Sequence, residues 1–215
     1  MKLKKIASLA LAGIMAVSML AGCKDASSNP TDEPEVTPVT GVAEVVNNAL
    51  VNKSDDITFS EDDVMTDLLT HFYKENPISA SGWAAGHAKL QTIKDTKLWD
   101  AVKDIYGVSG NNNLIDLNTV ATCVNSVGSK NYCNIYWVNN DFVTKDDALR
   151  MVGQTIDAKM SFLEDNNTAG AGAPSNATLN YSYTGSIAAV EAESKGGNES
   201  VWVIAVVITQ TAADK

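Results

Sequence analysis

Three cysteines, two histidines and a single arginine, Arg150, are all that this 215-residue chain offers of the side chains most used in metal binding, proton transfer and phosphate recognition. Three cysteines are too few for a disulfide-stapled scaffold. One arginine among 16 basic residues, set against 26 acidic ones, withholds the clustered positive charge that nucleic acid binding needs. The chain has no G-x-S-x-G, S-x-x-K or H-E-x-x-H motif, no EF-hand pattern and no Rossmann-type glycine run. Proline is scarce too: three of the five, Pro30, Pro34 and Pro38, fall close together.

What is present begins at the amino terminus. Lys2, Lys4 and Lys5 precede the uncharged, mainly apolar stretch Ile6 to Leu20, the layout of a secretory signal peptide. The stretch is shorter than the ~20 apolar residues that span a bilayer. It finishes Leu20-Ala21-Gly22-Cys23 and turns polar at once. This resembles the lipobox of bacterial lipoproteins. The resemblance implies that residues 1–22 are a signal peptide cut before Cys23, and that Cys23 becomes a lipidated amino terminus carrying acyl chains such as palmitate. Two or three chains anchor firmly, since each buried methylene contributes ~0.8 kcal/mol. The expected location is therefore the cell membrane, lipid-anchored, with the rest of the chain facing outside the cytoplasm.

Residues 23–40 read as the lipidated end and a disordered tether: Lys24 to Thr40 holds three prolines, several Ser and Thr, and little that can be buried. Residues 41–215 make up one domain, long enough for a real core. Without Lys2, Lys4 and Lys5, 13 basic side chains face 26 acidic ones, a balance that favours solubility and disfavours anionic ligands. Of the two cysteines left, Cys123 and Cys133, an even pair in an exported chain predicts a disulfide; two buried thiols are the alternative. Their spacing suits no zinc site, and no metal or cofactor is expected.

Periodicity supplies the elements. Gly41 to Asn52 is amphipathic. Ser60 before Glu61, Asp62 and Asp63 predicts a capped helix running through Tyr73 and ended by Pro77. Trp83 to Tyr106 reads as helix with a break at Asp95-Thr96, and Leu114 to Val127 as another. Asn131 to Val138 alternates as a strand, Thr144 with Asp147 caps a helix to about Leu163, and residues 164–177 form a loop. Leu179 to Glu193 and Ser200 to Thr211 read as a closing hairpin, whose last strand, apolar on both faces, belongs inside a sheet covered on both sides. The expected fold class is α+β: helices packed on a small, mainly antiparallel three-stranded sheet, an α/β/α-like sandwich with a C-terminal β-hairpin.

The run NYCNIYW, then helix, loop, TGSIAAVEA and VWVIAVVIT, is similar to the carboxyl-terminal half of the cysteine-rich secretory, antigen 5 and pathogenesis-related (CAP) superfamily, with Gly185 opening the penultimate strand. That resemblance spans roughly residues 80–211 and implies an α/β/α sandwich with a structural or lipid-binding role. The family's His and Glu are replaced here by SFLEDNN and CNIY, so no site residue carries over.

The leading functional expectation is a membrane-anchored surface lipoprotein with a non-catalytic binding domain for an envelope component, small ligand or protein. Trp83 and Trp137 are the aromatic side chains expected to contact ligand, with His87 beside them. A hydrolase using His71 or His87 is the enzymatic alternative, which depends on a base within reach of its proton.

Overall fold

The computed structural model describes residues 35–52, 55–77, 89–93, 95–107, 114–116, 127–160, 166–168, 178–195 and 199–214. They form β1 (Val36–Val39), α1 (Val42–Ala49), β2 (Phe59–Glu61), α2 (Asp63–Glu75), β3 (Gln91–Thr92), α3 (Thr96–Tyr106), β4 (Leu114–Asp116), β5 (Gly128–Asn139), α4 (Lys145–Met160), β6 (Asn166–Thr168), β7 (Thr178–Glu193) and β8 (Ser200–Asp214).

All eight strands belong to one sheet. Six pair antiparallel, in the order β1-β7-β8-β5-β3 with β6 also on β7; β2 joins β7 and β4 joins β5 in parallel. The expectation of a small three-stranded sheet is thus corrected. The three long strands β7, β8 and β5 make the centre, and five strands of two to four residues tile its two edges. Along β7, β6 takes residues 178–180, β2 takes 185–187 and β1 takes 189–192. Segments this short show no readable alternation, yet they occupy the backbone groups that would otherwise template aggregation. Four of them replace other expectations, β6 falling in the expected loop 164–177. Val36–Val39, placed with the tether by composition, is strand, as are Gln91–Thr92 and Leu114–Asp116, which were expected in helices.

β8 lies between β7 and β5 and is buried on both sides, because Val, Ile and Ala fill both phases of its alternation. The first face of the sheet packs Tyr136, Val138, Ile187, Ala189, Ile204 and Val206 against α1 and α4. Val46 of α1 and Val152 and Ile156 of α4 are fully buried there. Gly153 lets the two helices approach closely, since a Cβ would stand 2.7 Å from that of Ala49. The second face packs Cys133, Ile135, Ala188, Val190, Val203 and Ala205 under Met65, Leu69 and Tyr73 of α2 and Leu98 and Val102 of α3.

Side chains close the exposed backbone ends. Asp62, not Ser60, caps α2, its Oδ1 accepting from the Met65 N–H at 3.0 Å. Ser60 and Glu61 are drawn into β2, and the Asp62 N–H donates to the Ile187 carbonyl. Asp95 caps α3, and at the start of α4 the Thr144 hydroxyl accepts from the Asp147 N–H and donates to Asp147 Oδ2. The buried Asp157 of α4 accepts from the Val51 and Asn52 N–H groups and from Asn52 Nδ2, tying the turn after α1 to α4. Among the described residues, no helix is long and apolar enough to cross a membrane.

Candidate functional site

Of the side chains singled out from the sequence, the described ones, His71, Trp137 and Cys133, do not form a common site. His71 sits on α2 with 73 % of its side chain exposed, its Nε2 3.3 Å from Glu75 Oε1, the geometry of an i,i+4 pair on a helix surface. Trp137 is half-buried on β5 against the second core. Cys133 is a buried thiol on the same strand. Trp83, His87, Cys123 and Cys23 lie outside the described residues. The described His, Cys, Asp and Glu side chains include no group of three placed to hold a metal ion. A shallow groove of about 540 Å³ along α4, lined by Leu90, Met151, Gln154, Thr155, Ala158 and Lys159, offers one cation and few polar groups.

The feature that stands out is on the second face of the sheet. The alternation that buries Val203, Ala205 and Val207 on β8 continues into Thr209 and Thr211. On β7 it runs from Val190 and Ala188 to Ser186, Thr184 and Ser182; on β5 from Ile135 and Cys133 to Asn131 and Ser129. The pairing registers put these residues in cross-strand rungs: Ser182, Thr211 and Ser129 in one, Thr184, Thr209 and Asn131 in the next. Ser182, Thr184, Thr211 and Ser129 are exposed, and Thr209 and Asn131 half-buried.

Part of this array is pinned. Ser129 Oγ and Thr211 Oγ1 lie 3.1 Å apart, and Thr209 Oγ1 donates to Asn131 Oδ1 at 2.7 Å. Asn131 Nδ2 in turn donates to the Tyr106 carbonyl at 2.6 Å, at the end of α3. The Tyr106 hydroxyl donates to Asp62 Oδ2 at 2.7 Å, so one chain of bonds joins the array to the start of α2. Burial, reinforced by that bond to the Asp62 carboxylate, raises the Tyr106 phenol above its ordinary range. Burial does the same to Tyr73, with the Asp95 charge adding to it.

Beneath the array, on the first face, the same strand ends are aromatic and closed. Tyr132, Tyr181 and Tyr183 are buried, and buried Gln210 donates to the Tyr183 hydroxyl at 2.8 Å and stands 3.4 Å from that of Tyr132. The array is therefore a rigid sheet surface backed by a packed core, the kind of support that holds recognition groups in place. The sequence signal was there in the segments YSYT and ITQT, where large or buried residues alternate with Ser and Thr. Reading those segments only for their apolar phase hid it.

No protein-family model matches the chain. No curated protein and no solved structure is significantly similar to it.

Proposed function

We propose that this is a lipid-anchored extracytoplasmic lipoprotein whose folded domain acts by binding. The observation that carries the reading is the junction Leu20-Ala21-Gly22-Cys23, placed after a lysine-led apolar run and before a proline-rich spacer. Two or three acyl chains on Cys23 supply the anchor, which one chain alone would make only marginal. In sequence, β1 begins 13 residues after Cys23, and it pairs with β7. The partners are the membrane, through Cys23, and an extracytoplasmic ligand; the acidic balance argues against nucleic acid.

The test is bacterial expression with an alkyne-tagged palmitate, followed by fractionation and mass spectrometry of the mature amino terminus. The full chain is expected to carry the label, to sediment with membranes and to begin at lipidated Cys23, and Cys23→Ser to lose the label. An unmodified terminus downstream of Cys23, or equal labelling of Cys23→Ser, would overturn the proposal.

A further inference from the structure

No further inference is drawn: the strongest candidate, the side-chain pair at the β7–β8 turn formed by the buried Ser194 Oγ and Glu199 Oε2, carries nothing, because two oxygens without a third ligating group among the described residues are served by ordinary buried water and select no ligand.

Discussion

Two halves of one surface differ although they share strands and phase. Toward the proximal end, beside the β7–β8 turn, the second face of β7, β8 and β5 is Val190, Ala188, Val203, Ala205 and Ile135, sealed under α2 and α3. Toward the distal end the same alternation gives Ser182, Thr184, Thr209, Thr211 and Ser129, and among these all but the half-buried Thr209 are exposed. The change falls at the rung holding Ser186, Val207 and Cys133. Strand propensity is kept across it by β-branched Val and Thr alike. What changes is the solvent each half was built for, so the helices set the boundary and the strands run on past it.

The comparison can be broken first at alkaline pH. Tyr73 and Tyr106 belong to the covered half and have raised phenol values, so their contribution is fully present below the ordinary tyrosine pKa of about 10 and is lost as pH rises above it. Cooperative unfolding is expected there, with the two phenolates appearing in ultraviolet absorbance together with loss of structure; ionisation without unfolding would contradict their burial. Leu69→Ala, on the buried side of α2, should cost about 2–5 kcal/mol in urea titrations, since it opens a cavity at a fully buried site. Val203→Thr writes the distal chemistry into the proximal half. With β8 paired on both sides its hydroxyl lacks a partner, and a loss of about 1–3 kcal/mol is expected. The reverse exchange, Thr209→Val, removes the bond to Asn131 at a half-buried site and should cost about 1 kcal/mol. Ser182→Ala, at an exposed site, should stay within about 0.5 kcal/mol by the same titration; a large stability loss would show that the face is structural.

Much of this architecture is legible in the residues. The runs Val42 to Ala49, Val64 to Tyr73 and Leu149 to Ile156 carry helical spacing, and Asn131 to Val138 and VWVIAVVIT carry the central strands. The short edge strands were not legible, because two to four residues cannot establish a period and their state is set by the neighbour they pair with. The start of α2 shows how tertiary pairing decides. Ser60 has the better sequence signature for a cap, but parallel pairing with Ser186 holds it extended and passes the role to Asp62. The candidate face was legible in YSYT and ITQT as alternation, yet its identity as one surface depends on registers that join β5, β7 and β8, with Ser129 and Thr211 meeting across 82 residues of sequence.

The pairing of β1 with the edge of β7 has a mechanical consequence. A pull between residue 35 and the distal ends of β7 and β8 runs along the strands, so the β1–β7 pairing is loaded in shear. In that geometry the hydrogen bonds of Val36 to Val39 share the load and yield together, instead of opening one after another as in a peeled hairpin. The strength of the joint under tension is then a rate, set by the barrier to extracting four residues from the edge of the sheet. Tension arriving through residue 35 is thus met first by the four residue pairs of β1 and β7, which act as the domain's fuse.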